Sequence, residues 1–149
     1  MKFDRIKEIR EFEELTQENM ASILNVKRSA YSLWELNINT IPLYKLNSLC
    51  NKFKVSMDYL VDLSDTKYYD LTYNEIDIKE LGKRLKQARK ELKMTQEKLA
   101  KLLNTTHSAI SAYENGVTII PTLFIIEIAK ISGISLNWFC NKTICKQII

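Results

Sequence analysis

Leu81, Leu85, Ala88 and Leu92 fall at spacings of four, three and four. They share one face of a helix expected from about Ile78 to Lys93. Thr95 then has the place and chemistry of an N-cap, and Leu99, Ala100, Leu102 and Leu103 form the expected inner face of a second short helix. Asn104 follows, and Asn tolerates the left-handed conformation that ends a helix. A third helix is expected over Thr106–Asn115 with Ala109, Ile110 and Tyr113 inward, stopped by Asn115-Gly116. Pro121 suits the first position of a fourth, and Ser135 caps a fifth carrying Leu136, Trp138 and Phe139.

The same pattern occurs earlier in the chain. At an offset of 79, Arg5–Leu60 lies on Arg84–Phe139 without a gap, and 16 of 56 pairs are identical. Thr16-Gln17-Glu18 meets Thr95-Gln96-Glu97, and Asn25, Glu35 and Pro42 meet Asn104, Glu114 and Pro121. Many mismatches exchange one apolar residue for another. The chain is two copies of one small domain. The first copy then has a helix to Glu14, a Thr16 cap, an Asn25 turn, a helix over Lys27–Leu36, a start at Pro42 and a Ser56 cap. The expected layout is a domain over 1–65, an aromatic connector over 66–76, a second domain over 77–140 and a tail over 141–149. Tyr68, Tyr69, Leu71, Tyr73 and Ile76 make the connector too aromatic for a free linker.

Composition supports helices. Three glycines and two prolines in 149 residues are too few for the frequent turns of a sheet-rich fold. They also exclude the glycine-rich phosphate loops of common nucleotide enzymes. No apolar run is long enough to span a membrane, and the N-terminus lacks the apolar core of a secretory signal. Cys50, Cys140 and Cys145, with the single histidine His107, supply no four-ligand zinc set, so neither metal nor cofactor is expected. Inert thiols fit a cytoplasmic protein. Glu13 and Glu14 are neighbours on a helix surface, and no nucleophile–base set is visible, so no enzyme is expected.

The net charge of +4 is unevenly divided. Residues 1–65 carry nine basic and ten acidic side chains, residues 66–76 one and two, and residues 77–149 twelve and six. The second copy is the better candidate for meeting a polyanion. Lys79, Lys83, Arg84, Lys86, Arg89, Lys90, Lys93, Lys98 and Lys101 face only Glu80, Glu91 and Glu97 in the same stretch.

A helix opening Thr-Gln-Glu, an asparagine turn, and a helix ending Glu-Asn-Gly resembles the helix-turn-helix of the Cro-type phage repressor (XRE-like) family. The resemblance covers Ile78 to Phe139 and, more divergently, the first copy, where Leu36-Asn37 replaces Asn-Gly. It implies an all-α chain of two tandem five-helix lambda-repressor-like domains, each laying its third helix in the major groove of double-stranded DNA. The base-proximal residues would be Lys27, Arg28, Ser29 and Ser32, then Thr106, His107, Ser108 and Ser111. Leu33 and Ala112 lie further along. Gln17 and Gln96, at the first turn of the second helix, would meet phosphates, joined by Lys86, Lys90 and Lys98. The family also pairs Arg10 with Glu35 and Arg89 with Glu114, a structural role.

Duller readings stand beside these. His107 can be an ordinary surface histidine, Trp34, Tyr113 and Trp138 core aromatics, and the lysines a solvated helix face. In the fourth helix, Ile125, Ile128, Ala129 and Ser132 suffice for an inner stripe. Leu123, Phe124 and Ile126 then form a candidate homodimer patch, which the apolar tail residues or the first copy could equally cover. The expected function is a sequence-specific transcriptional regulator, a repressor by resemblance. The alternative is a protein-interaction module of antitoxin or effector-inhibiting type, favoured by Leu33, Leu36 and the uncharged second recognition helix.

Overall fold

The computed structural model describes residues 3–149. These form ten helices and no strand, and the chain divides into two compact units, Met1–Tyr69 and Asp70–Ile149. The first unit contains α1 (Asp4–Phe12), α2 (Gln17–Ile23), α3 (Arg28–Glu35), α4 (Leu43–Phe53) and α5 (Met57–Leu60). The second contains α6 (Ile78–Glu91), α7 (Gln96–Leu102), α8 (His107–Glu114), α9 (Thr122–Ser132) and α10 (Leu136–Phe139). In each, a five-helix set closes over one apolar core. Ile6, Met20, Tyr31 and Leu46 are buried in the first unit, and Leu81, Leu99, Ile110 and Ile125 in the second. Each such side chain contributes about 1.5–3 kcal/mol by leaving water.

The polar punctuation stands where the sequence puts it. Thr16 Oγ1 accepts the Asn19 amide at 3.0 Å while Asn19 Oδ1 accepts the Thr16 amide at 3.1 Å, a reciprocal cap on α2. Thr95 receives the Lys98 amide at 3.1 Å, and Ser56 and Ser135 cap α5 and α10. Pro42 and Pro121 sit one residue earlier than expected, at the N-cap, with extended ψ of 148° and 143°. Their carbonyls accept the first turn's bonds from Leu46 and Ile125.

Ten described residues have positive φ, and they form five pairs separated by 79 residues. The pairs are Glu14 and Lys93, Asn25 and Asn104, Asn37 and Gly116, Lys54 and Gly133, and Asp62 and Asn141. The backbones of the two copies therefore reverse direction at the same places, mostly without glycine. Glu14 and Lys93 also explain why α1 and α6 stop two residues before the expected ends, since a left-handed residue breaks the ladder.

Two side chains depart from the amphipathic reading. Leu102 is 53% exposed because Leu99, Ala100 and Leu103 fill the inward sector of α7, and Leu102 lies about 100° round from its middle. Ile126 is fully buried rather than part of a surface patch. Thr122, Ile125, Ile126 and Ala129 stand at i, i+3, i+4 and i+7, so Ile126 belongs to the buried face of α9. Ser132, placed inward by the sequence, is only half-buried.

The stretch expected as a connector is divided between the units, and its first part repeats in the tail. Lys67 accepts the Ser56 amide on its carbonyl at 2.9 Å, and Lys146 accepts the Ser135 amide at 2.8 Å. Ser64 Oγ holds the Thr66 amide and Thr143 Oγ1 the Cys145 amide, each at 3.0 Å. The Lys67 ammonium stands 5.8 Å from the Tyr59 ring, and the Lys146 ammonium 5.1 Å from Trp138. Each pair is again 79 apart. Both copies end in a short strap laid along the last helix, and in the second the strap closes an antiparallel bridge between Ile134 and Gln147.

Candidate nucleic-acid interface

The helix pairs α2–α3 and α7–α8 are built alike. The left-handed Asn25 and Asn104 turn the chain, and the Val26 and Thr105 amides return to the Ala21 and Ala100 carbonyls at 2.9 and 2.8 Å. Behind each pair lies a side-chain lock, half-buried in the first unit and buried in the second. Arg10 donates through Nε and Nη2 to the Glu35 carboxylate at 2.7 and 2.9 Å, and through Nη1 to the Leu15 carbonyl at 3.0 Å. Arg89 repeats this on Glu114 at 2.6 and 2.9 Å and on the Met94 carbonyl at 2.9 Å. The forked geometry satisfies both carboxylate oxygens at once. It fixes the end of the third helix against the first.

Burial of Glu35 opposes its charge, but the Arg10 guanidinium prevails and holds the carboxyl below its ordinary range. The same bond raises Arg10, and the Glu114 bond raises Arg89. Burial pushes the hydroxyls of Tyr31 and Tyr113 upward, so both stay neutral.

Gln17 and Gln96, expected at phosphates, turn their side chains into this lock. Their amides donate to Glu35 Oε1 at 3.4 Å and Glu114 Oε1 at 3.1 Å. The backbone amides of the first turn are what these residues can still offer a phosphate.

The front of each third helix is open. Lys27, Arg28 and Ser29 are exposed and Ser32 is half-buried, and a shallow groove beside them is lined by Ser22, Asn25 and Val26. In the second unit Thr106, His107 and Ser108 are exposed and Ser111 is half-buried. Thr106 also caps α8, its Oγ1 accepting the Ala109 amide at 3.1 Å. Lys27 holds the equivalent cap position without a side-chain bond.

The basic stretch is thinner than its composition. Arg89 is spent in the lock, and Arg84 donates to the Trp138 carbonyl and to Asn141 Oδ1 at 2.8 Å. Lys79 reaches the Asn115 carbonyl at 3.0 Å, beyond the end of α8. Lys98 and Lys101 remain exposed on α7, and Lys83, Lys86, Lys90 and Lys93 on or just past α6. Of the expected dimer patch, Leu123 is 41% exposed, Phe124 packs edge-on to Tyr113 with centroids 6.4 Å apart, and Ile126 is buried.

Two constellations escaped the sequence reading. Arg5 stacks over Tyr59 at 4.1 Å and donates to the Tyr59 carbonyl at 2.7 Å, and Arg84 stacks over Trp138 at 4.8 Å. The identity of Arg5 and Arg84 across the repeat was the available signal. The strap pair Lys67 and Lys146 keeps the same offset but lies beyond the aligned stretch. Among the described residues no group of histidine, cysteine or acidic side chains could hold a metal ion, and no helix is long and apolar enough to cross a membrane.

The helix-turn-helix domain family matches residues 4–66 and again 82–143. A curated relative, the uncharacterized HTH-type transcriptional regulator YobD of Bacillus subtilis (strain 168), is 33% identical over 61 residues. That alignment covers 41% of this chain and 54% of the relative, so the match spans about half of YobD. No solved structure matches the chain. With two matched segments that together take in most of its length, and the same locked helix pair in each, the chain belongs to the helix-turn-helix domain family.

Proposed function

We propose that the protein is a double-stranded DNA-binding transcriptional regulator of the Cro-type branch, with α3 and α8 as the helices that enter the major groove. The observation that carries this reading is the pairing of a rigid back with an open front. Each third helix is held from behind by an Arg–Glu–Gln lock, half-buried in the first unit and largely buried in the second, and offers polar side chains at its first turn. Arg28 is suited to guanine through two parallel hydrogen bonds. Thr106, His107, Ser108 and Ser111 offer hydroxyls, one imidazole and a methyl group that fits thymine. Lys98 and the first-turn amides of α2 and α7 serve the phosphates, while Lys86 and Lys90 add to the attracting field. Action as a repressor is the role that the resemblance supplies.

Selection of bound sequences from random duplexes, at stated salt, tests the reading. An enriched motif is expected, and Arg28→Ala should relax preference at one position by about 1–3 kcal/mol. No enrichment, with no salt-dependent duplex binding, would reject it.

A second reading has one observation in its favour. Leu36 and Ile38, just past α3, are 63% and 65% exposed. Exposed apolar side chains there suit a protein partner for the first unit, as in an antitoxin-type or effector-inhibiting module. Duplex binding that survives in full when both are changed to Ser separates the two readings.

A further inference from the structure

The outer face of the first helix carries opposite charge in the two copies. In α1, Asp4, Glu8 and Glu11 lie at spacings of four and three, and Glu14 follows the helix, all exposed. The equivalent positions on α6 and its turn are Lys83, Gln87, Lys90 and Lys93, all exposed as well. Three carboxylates have become three ammonium groups at the same places on the same fold, and a fourth has become neutral. Along α6, Glu80 pairs with Arg84 and Glu91 with Lys146, and the latter bond holds the Glu91 carboxyl below the ordinary range. On α1 the one exposed base, Lys7, stands 3.9 Å from Glu11.

An apolar ring stands within the acidic face. Phe12 is 73% exposed at the end of α1. The basic face offers a place for it, a shallow hollow lined by Lys83, Lys86, Gln87, Lys90 and Glu91. Lysine stems give such a hollow apolar walls, and ammonium groups favour an aromatic face. Phe12 already shows that preference, with the Lys67 ammonium 5.0 Å from its ring.

We propose that the chain associates with a second copy of itself head to tail. The acidic outer face of α1 in one molecule docks on the basic outer face of α6 in the next, with Phe12 seated among the lysine stems. The other occupant to weigh for α6 is a DNA backbone. One-for-one reversal at equivalent positions and an exposed aromatic ring favour a protein face, because phosphates have no use for the ring. Exposed ion pairs are individually weak and screened, so the contact forms at low salt and fades within a tenfold rise in ionic strength. A heterologous contact of this kind leaves a free face at each end, so growth beyond two copies is expected unless the chain closes into a ring.

Sedimentation velocity on the full chain without DNA, at ~50 and ~500 mM salt, tests this. The wild type should sediment as larger species at low salt and as a single chain at high salt. Glu11→Lys with Glu14→Lys should abolish association, and so should Lys90→Glu with Lys93→Glu. Each variant carries the residues that the other copy already holds at those positions, so the fold is retained, and thermal unfolding at the wild-type temperature verifies it. Mixed one to one, the two variants should re-associate, since each keeps the face the other needs. Phe12→Ser should weaken association at unchanged charge. A wild type that stays single at low salt, variants that associate as it does, or a mixture that stays apart would overturn the proposal. So would loss of duplex binding by Lys90→Glu with Lys93→Glu while self-association persists, which would assign α6 to phosphates.

Discussion

At Gly82, a Cβ would lie 2.4 Å from the Glu114 carbonyl oxygen and 2.7 Å from that of Tyr113. Neither oxygen can move without shifting the end of α8, so Gly82→Ala should cost about 1–3 kcal/mol, read from a urea midpoint. Lys54 poses the reverse problem, for it caps α4 at φ 58° where its counterpart Gly133 has open space around it. Lys54→Gly should therefore raise stability by up to about 1 kcal/mol. Glu35 contributes to the acid limb. Its carboxyl titrates below the ordinary value of 4.5 in the folded chain, so the unfolded chain takes up protons first as pH falls. Its contribution is complete above that value and is lost as pH drops through the folded pKa. Glu35→Gln should flatten the loss of stability on acidification below about pH 5 and lower stability at neutral pH. Trp34 fluorescence in a Trp138→Phe background reports it from the first unit, because the chain has two tryptophans. The family resemblance supplied the lock, and the chain carries its Arg and Glu in both copies. The sequence could not disclose Gln17 and Gln96 turning inward, since a glutamine at a helix start has two equally plausible directions.

Among the elements, caps and turns were the readable part. Thr16, Thr95, Ser56 and Ser135 cap as their chemistry dictates, because a hydroxyl before an apolar-periodic run has little else to satisfy. The facing of α7 and α9 was harder, since seven to eleven residues hold too few apolar positions to define a sector uniquely. Leu102 and Ile126 were misplaced for that reason. The straps were hidden more thoroughly. They are held by a lysine carbonyl and a hydroxyl turn, and carbonyls leave no signature in side-chain pattern. Removing residues 143–149 should destabilise the second unit by about 1–2 kcal/mol, because the buried Ser135 amide loses its partner. Hydrogen exchange at that amide should accelerate in the truncated chain while the first unit's Ser56 amide keeps its protection.

For the whole molecule, duplication was the most visible property in the sequence and proved deeper than the aligned stretch. Five left-handed pairs, two locks, two stacked arginines and two straps all keep the offset of 79. What the copies do not share is surface charge, which alignment counts as mismatch and electrostatics counts as signal. A measurement at this scale follows from the division of charge. Neutralising Lys98 and Lys101 together should lower the slope of log affinity against log salt by about 2 if both meet phosphates in the bound duplex. Unchanged slope would place them outside the interface.

The two third helices, α3 and α8, differ in what sets their standing position. In the second unit the spacing is backbone on backbone, Gly82 against the end of α8. In the first, Asn37 Oδ1 accepts the Phe3 amide at 2.6 Å, and its Nδ2 donates to Asp4 Oδ1 at 3.2 Å, so the end of α3 is moored to the opening residues of the chain. A fusion partner or affinity tag joined directly ahead of Phe3 would thus pull on the end of α3. One joined after Ile149 would load the strap of the second unit instead. Binding data gathered with the two placements should be compared before either is taken to describe the native protein.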